Sequence, residues 1–356
     1  MLLIRPWLRM NKYRLTTHHI VFFIFIVANV GGCLTPIGDP PLFLGYLKGI
    51  PFWWVAEHCW PMWLVAVGSL LAIFYVMDRR NYLRAPKEVR EHLAEGADTW
   101  RFDGLGNLGF LAVILGAVFI EHPTFLRETI MVAAAAASYW TTRKPVHEAN
   151  HFNFHPIQEV AILFIGIFAT MMPALDWLQG HADGFGTPTP GLFYWAAGSL
   201  SAVLDNAPTY LSFLSAEIGL FAPNDLVREI QATLAAGVTD PAAVSGAHAT
   251  EIRGALAALH EYFEAEVVAG NVPVEHIRVA ELLGVPAYRQ FVVAISVGSV
   301  FFGAATYIGN GPNFMVKSIA EHAKAHTPSF LGYVAQFTLP ILLPVLTLIW
   351  WLFFRT

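Results

Sequence analysis

The chain has 356 residues and a formal net charge of −5, and 56% of its residues are hydrophobic whereas only 13% are charged. Soluble domains usually carry about 25% charged residues, so the composition excludes an ordinary soluble domain and favours an all-α membrane protein with several spans. The net charge indicates no partner, and we expect none among nucleic acids. Cys33 and Cys59 are the only cysteines, which excludes a disulfide framework.

Apolar runs and basic residues predict the spans and their orientation. The first 14 residues contain four basic residues without the apolar region of a signal peptide. Basic residues return at 78–103 and at Arg143 and Lys144, and these segments alternate across the predicted spans with 49–60 and 176–190, which lack Lys and Arg. The positive-inside rule then places the N-terminus in the cytoplasm and the C-terminus on the opposite face, which in a bacterial inner membrane is the periplasm. The predicted spans are 21–47 with a break, 61–76, 105–120, 130–140, 157–175, 291–319 with a break, and 330–354.

Two segments nearly repeat each other at a constant offset of 271 residues: 32–43 reads GCLTPIGDPPLF and 303–314 reads GAATYIGNGPNF. The identical pairs are Gly32 and Gly303, Thr35 and Thr306, Ile37 and Ile308, Gly38 and Gly309, Pro41 and Pro312, and Phe43 and Phe314, while Asp39 aligns with Asn310. Paired Gly/Pro interruptions in two halves of a membrane protein indicate broken helices that form a binding site near the bilayer midplane. The loop charges predict that the two broken helices enter the bilayer in opposite senses.

The first break offers oxygen atoms suited to a small cation. Its prolines leave backbone carbonyls without helical partners, and the Thr35 hydroxyl and the Asp39 carboxylate are further hard ligands. The N-termini of half-helices could instead hold an anion. A proline-kinked helix without a site is the structural alternative, which the second copy of the motif disfavours.

A third interruption lies at Asp205-Asn206-Ala207-Pro208, within the apolar segment 190–220. It predicts two half-length helices in a re-entrant hairpin. A carboxylate at membrane depth is costly and usually marks an ion path, so Asp205 is the leading candidate to bind a cation or a proton. An Asp before a helix also caps it, and the two roles are compatible. Glu159 is a candidate relay, although an acidic residue in a first helical turn is also explained by the helix dipole.

Two histidine patterns carry weaker predictions. His147, Glu148 and His151 match the zinc-protease pattern H-E-x-x-H, but Pro145 and Pro156 bracket the stretch and favour a short interfacial turn. A membrane zinc protease therefore remains a less favoured alternative from a different functional class. His18 and His19 are interpreted as an interfacial pair. The sequence contains no P-loop, so ATP-driven pumping by this chain is unsupported.

These features divide the chain into five segments. They are the end of a first repeat (1–77), a cytoplasmic loop (78–104), the spans and hairpin of a second repeat (105–220), a polar periplasmic insertion (221–286), and the second broken helix with the final span (287–356). Three spans and a hairpin precede the second broken helix, whereas nothing comparable precedes the first. This asymmetry predicts an N-terminally truncated chain.

The segments 29–47 (NVGGCLTPIGDPPLFLGYL), 200–211 (LSAVLDNAPTYL) and 303–314 resemble the ion transporter superfamily, and over the whole chain the nearest group comprises bacterial sodium:proton antiporters and CitMHS-like citrate transporters. The resemblance implies two inverted repeats, each with a re-entrant hairpin and a discontinuous helix. It also implies a homodimer in which a transport domain moves past a scaffold. The implied ion-site residues are Asn29, Thr35, Gly38, Asp39, Asp205, Asn206, Thr209, Thr306, Gly309, Asn310 and Asn313.

The choice of substrate depends on charge. No Lys or Arg lies within the three motifs to pair with a di- or tricarboxylate, and Asp205 would repel one. The hairpin tip also departs from the Ser-Asn-Thr of the superfamily's carboxylate transporters. The sequence therefore favours Na⁺/H⁺ antiport by alternating access, with Na⁺-coupled citrate or dicarboxylate transport as the alternative and arsenite efflux as a further option. We predict a non-enzyme that needs no cofactor beyond Na⁺ and H⁺ and whose partners are the lipid bilayer, small ions and a second copy of the chain.

Overall fold

The computed structural model describes residues 16–88, 104–120, 123, 125–149, 154–181, 188–238 and 241–355, and this part of the chain contains helices and no strand. The chain divides into two compact units. One comprises Met1–Leu93 with Thr170–Thr356, and the other comprises Ala94–Ala169. The predicted all-helical class is thus confirmed.

The N-terminal part of the larger unit contains the first broken helix. Helix α1 (Thr17–Phe22) widens into a π-helix over Phe23–Val27, and a 3₁₀ segment follows over Val30–Leu34. Helix α2 (Pro40–Leu47) resumes after the break, and α3 (Trp54–Arg84) is the longest helix of the described residues. The glycines and prolines of 31–41 therefore interrupt the helix where the sequence predicts.

The smaller unit contains helices α4 (Gly106–Ala117), α5 (Leu126–Thr141), α6 (Lys144–Ala149) and most of α7 (His155–Gly180). The side chain of Asn107 on α4 accepts a hydrogen bond from Ser138 and contacts Thr142, which joins α4 to α5. Helix α4 is shorter than the predicted span 105–120, since it begins at Gly106 and ends at Ala117. Its 12 residues extend about 18 Å, less than the roughly 30 Å of a hydrocarbon core.

The rest of the larger unit contains the other two interrupted segments. Its apolar helices are α8 (Pro190–Ser201), α9 (Asn206–Phe221), α14 (Pro286–Gly303), α15 (Gly311–His322) and α16 (Phe330–Phe354), and between α9 and α14 lie α10 (Asn224–Ala235), a 3₁₀ turn (Pro241–Ala243), α11 (Ala249–Tyr262), α12 (Glu264–Ala269) and α13 (Val274–Gly284). Every residue of α14 from Phe291 to Gly303 is buried. Gly298 lets α14 approach α8 closely, because a Cβ there would lie 2.7 Å from the Tyr194 carbonyl oxygen.

Among the described residues, three helices are long and apolar enough to cross a membrane: Thr17–Leu34, Trp54–Arg84 and Phe330–Phe354. The count rises to four if α13 and α14, which meet at a bend of 100°, form one broken span. Fewer helices thus qualify than the sequence predicts. The helices at the predicted spans 105–120 and 130–140 have only 12 and 16 residues, and the break at Ala304–Asn310 separates α14 from α15.

The segment 221–286 has a hydrophobic core of its own. Its helices α10, α11 and α13 bury one apolar face each, as expected for amphipathic helices. The core residues are Leu226, Val227, Ile230, Val244, Ile252, Ala255, Leu256, Ala258, Leu259, Ile277 and Ala280. The sequence predicts one amphipathic helix over 251–267, but the structure divides it into α11 and α12 at Phe263.

Candidate functional site

The breaks of three helices meet at one buried carboxylate. Asp39 precedes α2, Asn206 begins α9, and Asn310 precedes α15. The Asn206 side-chain amide donates a hydrogen bond of 2.9 Å to Oδ1 of Asp39, and the Asn310 amide approaches the same oxygen at 3.4 Å. None of the three residues is more than 2% exposed, so the cluster lies inside the larger unit.

Two further asparagines, one near each copy of the repeated motif, extend this cluster. Asn29, just before the first break, accepts a hydrogen bond of 3.0 Å from Asn310 and donates one of 2.7 Å to Oδ1 of Asn313. Asn313 in turn donates to the carbonyl oxygens of Gly303 and Thr306 at 2.7 and 2.8 Å. We call Asn29, Asp39, Asn206, Asn310 and Asn313 the amide cluster.

Two oxygen atoms of the amide cluster lack hydrogen-bond partners among the described residues. They are Oδ2 of Asp39 and Oδ1 of Asn206, and both are buried. A buried carboxylate oxygen without a donor is costly unless it is protonated or faces a cation. Carboxylate and amide oxygens are also the ligands that hard cations prefer. The cluster is therefore chemically suited to bind a proton or a small cation.

The two repeated motifs have the same local geometry at the cluster. Asp39 and Asn310 have backbone φ/ψ angles of −151°/140° and −155°/135°. Each precedes a helix whose second residue is proline. In both copies two glycines six residues apart approach each other. A Cβ on Gly32 would lie 2.5 Å from the Gly38 carbonyl oxygen, and one on Gly309 would lie 2.7 Å from that of Gly303.

Side chains donate hydrogen bonds to the backbone carbonyl oxygens at the second break. Asn313 holds two of its carbonyls, the Tyr333 hydroxyl donates to the Ala304 carbonyl at 2.8 Å, and the Thr338 hydroxyl donates to the Ala305 carbonyl at 2.6 Å. The Thr306 hydroxyl donates to the Ala202 carbonyl at 2.6 Å, which ties this break to the one after α8.

The remaining predicted site residues lie around the cluster with local contacts. Asp205 is half-buried and caps α9, since its Oδ1 accepts a hydrogen bond from the Ala207 amide at 3.1 Å. The Thr209 hydroxyl donates to the Asp205 carbonyl, and the Gly309 amide donates to the Thr306 hydroxyl oxygen. In the first break Thr35 is half-buried and Gly38 is exposed. The structure thus places Asp39, rather than Asp205, at the centre of the hydrogen-bonded cluster.

One buried acid was missed by the sequence reasoning. Glu217 on α9 is fully buried, and neither carboxylate oxygen has a hydrogen-bond partner among the described residues. The signal was available, because Glu217 is the only charged residue between Asp205 and Asp225. His151 and the side chain of Glu159 lie outside the described residues. His147 lies on α6 with its Nε2 3.2 Å from the Tyr139 carbonyl oxygen.

Comparison with known proteins places the chain in a family. Residues 1–354 match the sequence model of a family described as "Putative citrate transport". The chain belongs to this citrate transport family. No curated protein and no solved structure matches it. Membership in the citrate transport family, together with the apolar helices, identifies a membrane transport protein of a citrate transporter-like group. The family description names citrate and does not name Na⁺/H⁺ exchange.

Proposed function

We propose that this protein is a secondary active transporter that carries citrate or a related carboxylate together with a coupling cation. The substrate class rests on the family, whose model matches almost the whole chain. The proposal of a coupling cation rests on one observation. Oδ2 of Asp39 and Oδ1 of Asn206 are buried and have no hydrogen-bond partner among the described residues. Coupled citrate or dicarboxylate transport, which the sequence offers as the alternative to Na⁺/H⁺ antiport, is thus the main function proposed.

Helix N-termini are a possible source of positive charge for a carboxylate substrate. The three motifs contain no Lys or Arg that could pair with its negative charges. However, α2, α9 and α15 all begin at the amide cluster, and the N-terminus of a helix carries partial positive charge that favours an anion, although Pro40, Pro41, Pro208 and Pro312 supply no N–H donors there. A cation bound at Asp39 would neutralise the negative charge of that carboxylate. The repulsion that a carboxylate substrate meets at the amide cluster would then be smaller.

The architectural part of the proposal follows the resemblance. We propose two inverted repeats, a re-entrant hairpin formed by α8 and α9, and a homodimer in the bacterial inner membrane. The N-terminus would lie in the cytoplasm and the C-terminus in the periplasm, with 221–286 as a periplasmic insertion. Alternating access would move the amide cluster between the two sides of the membrane.

The decisive experiment measures radiolabelled citrate uptake by the purified chain in proteoliposomes under an imposed Na⁺ or H⁺ gradient. We expect one gradient to drive uptake, and we expect Asp39→Asn to weaken this dependence strongly because the substitution removes the only carboxylate of the amide cluster. Asp176→Asn is the control, since Asp176 is exposed at the end of α7. Gradient-driven uptake that is unchanged by Asp39→Asn would contradict the cation site, and absence of citrate binding and uptake would contradict the substrate.

Na⁺/H⁺ antiport is a second candidate, favoured by the presence of Asp39 and Asp205 and the lack of Lys and Arg in the motifs. The same vesicles distinguish it. If NaCl dissipates a preformed pH gradient in the absence of citrate, the antiport function gains support. If the pH gradient collapses only with citrate present, coupled citrate transport is favoured instead.

A further inference from the structure

A second cluster of ligand-forming side chains lies away from the amide cluster. His18 and His19, in the first turn of α1, converge on Asp78 of α3. Their Nε2 atoms lie 3.3 and 3.0 Å from Oδ1 of Asp78. One ligand atom from each of the three residues lies within 4.8 Å of the others. Both histidines are 8% exposed, and their rings pack near Phe74.

The other ring nitrogens of both histidines contact one hydroxyl group. The Thr16 Oγ1 atom lies 2.6 Å from Nδ1 of His18 and 2.9 Å from Nδ1 of His19, and Asn81 donates a hydrogen bond of 3.2 Å to the same oxygen. Each imidazole is thus held between a hydroxyl on one side and a carboxylate on the other. Polar groups of this kind orient metal-binding histidines and select their tautomer.

The backbone also orients one of the two rings. The Thr16 amide donates a hydrogen bond of 3.4 Å to Nδ1 of His19, which leaves Nε2 of that ring directed at Asp78. Two imidazole nitrogens and a carboxylate oxygen therefore converge where α1 meets α3.

We infer that His18, His19 and Asp78 bind one divalent transition-metal ion of the Zn²⁺ class. Imidazole nitrogens and a carboxylate oxygen are a standard ligand set for such ions. Ligands about 2.05 Å from a tetrahedral ion are about 3.3 Å apart, close to the two nitrogen–oxygen distances here. Each ring would bind the ion through an unprotonated Nε2, so binding releases any proton that this nitrogen holds. The fourth position is left to water or to the second Asp78 oxygen.

The ion would join the start of α1 to α3, because its ligands come from both helices. It would therefore hold the first broken helix at the end opposite to its break. This role does not depend on the transported substrate. The site is distinct from the H-E-x-x-H stretch, which lies in the other compact unit.

The test is metal binding by the full chain, purified without a histidine tag and titrated with ZnCl₂ and CoCl₂ in detergent. We expect one equivalent to bind with release of protons, and Co²⁺ to show the intense visible absorption of a four-coordinate site. His18→Ala, His19→Ala and Asp78→Asn should each weaken binding by about 100-fold or more. Thr16→Val, which removes only the orienting hydroxyl, should weaken it by about tenfold.

The control is His58→Ala, because His58 also lies on α3 but its Nδ1 contacts the Trp54 carbonyl oxygen. This variant should bind the metal as the unmodified chain does. Helical circular dichroism and a single gel-filtration peak show whether each variant is folded. Absence of saturable binding at one ion per chain would overturn the inference, as would folded variants of His18, His19 and Asp78 that bind normally.

Discussion

At the scale of single residues, the most informative pair is Asp39 and Asn310. The two residues occupy the same place in the repeated motif and the same backbone conformation, and they contact each other. They differ in charge and in hydrogen bonding, since only the Asn310 amide can donate. Two carboxylates this close would repel each other, and two amides would supply no charge for a cation, so one of each gives a site with a single negative charge.

This pair yields a prediction about where the charge must lie. We expect Asp39→Asn to weaken the apparent affinity for the coupling cation by more than about tenfold, or about 1.4 kcal/mol. The double substitution Asp39→Asn with Asn310→Asp returns one carboxylate to the cluster and should recover part of that affinity. The measurement is citrate uptake as a function of cation concentration. A double variant no better than the single one would show that the position of the carboxylate matters as well as its presence.

Which carboxylate lies at the centre could not be predicted from the sequence. Asp39 and Asp205 both lie beside helix breaks, and a sequence cannot tell how three helix ends approach one another in space. The asparagines were named from the resemblance, and the structure brings four of them into hydrogen-bond contact. Glu217 was not predicted because no glycine or proline break lies beside it.

At the scale of elements, the breaks depend on glycines that cross at close range. Gly32 faces Gly38, and Gly309 faces both Gly303 and Ser201, with backbone oxygen atoms as the nearest neighbours. Backbone atoms cannot move aside as a flexible side chain can. The positions of these breaks were predictable because glycine and proline mark them. The close approach of the glycines was not predictable, because it depends on contacts between residues that a local sequence pattern does not reveal.

We expect Gly32→Ala and Gly309→Ala each to lower the thermal stability of the protein and to abolish transport, because the new Cβ would lie 2.5 to 2.7 Å from a backbone oxygen. The expected destabilisation is about 1–3 kcal/mol, typical of an overpacked core. Gly311→Ala is the matched control, since a Cβ there meets nothing within 4 Å. Thermal unfolding in detergent measures the effect. If Gly309→Ala and Gly311→Ala unfold at the same temperature, the close crossing is not essential.

Helix α13 carries a second buried acid, Glu281, within the segment 221–286. The pKa of Glu281 is raised to about 8, mainly by burial and also by the nearby negative charges of Glu251 and Asp225, while Arg278 opposes the shift. In the unfolded chain the pKa of a glutamate is about 4.3. The folded state therefore holds a proton that the unfolded state loses. This contribution to stability is fully present below about pH 4.3 and declines as the pH rises toward 8.

We therefore expect the helices of 221–286 to open more readily at alkaline pH, with a slope of up to about 1.4 kcal/mol per pH unit between those two values. Glu281→Gln should remove the slope, because glutamine keeps the shape without the proton. Hydrogen exchange of peptides from 226–280, corrected for its intrinsic pH dependence, measures the opening. Glu275→Gln on the exposed side of α13 should leave the slope unchanged. A slope that persists in Glu281→Gln would assign it to another group.

At the scale of the whole molecule, the sequence predicted the helical class and the membrane setting, because composition and long apolar runs carry both. The number of spans was less predictable. The run 105–120 is apolar enough, but the structure gives it a helix of only 12 residues. Helix ends depend on packing, and hydropathy alone does not encode them.

The proposed orientation makes a direct prediction for living cells. With Cys33 and Cys59 replaced by alanine, we expect Ser245→Cys to react with a membrane-impermeant maleimide from outside, because 221–286 is proposed to be periplasmic and Ser245 is exposed. Glu88→Cys, also exposed but in the proposed cytoplasmic loop, should react only after the membrane is opened. The reverse pattern would invert the proposed topology.

The hydrogen bonds around the second break have a consequence for ligand affinity. Asn313, Tyr333 and Thr338 supply the break's carbonyls with the partners that a continuous helix would have provided. These hydrogen bonds fix the conformation of the unwound backbone. Binding then does not have to supply the free energy of ordering this backbone, which in a flexible site would be subtracted from the affinity. The final helix, although distant in sequence, thus orders the backbone of the candidate site.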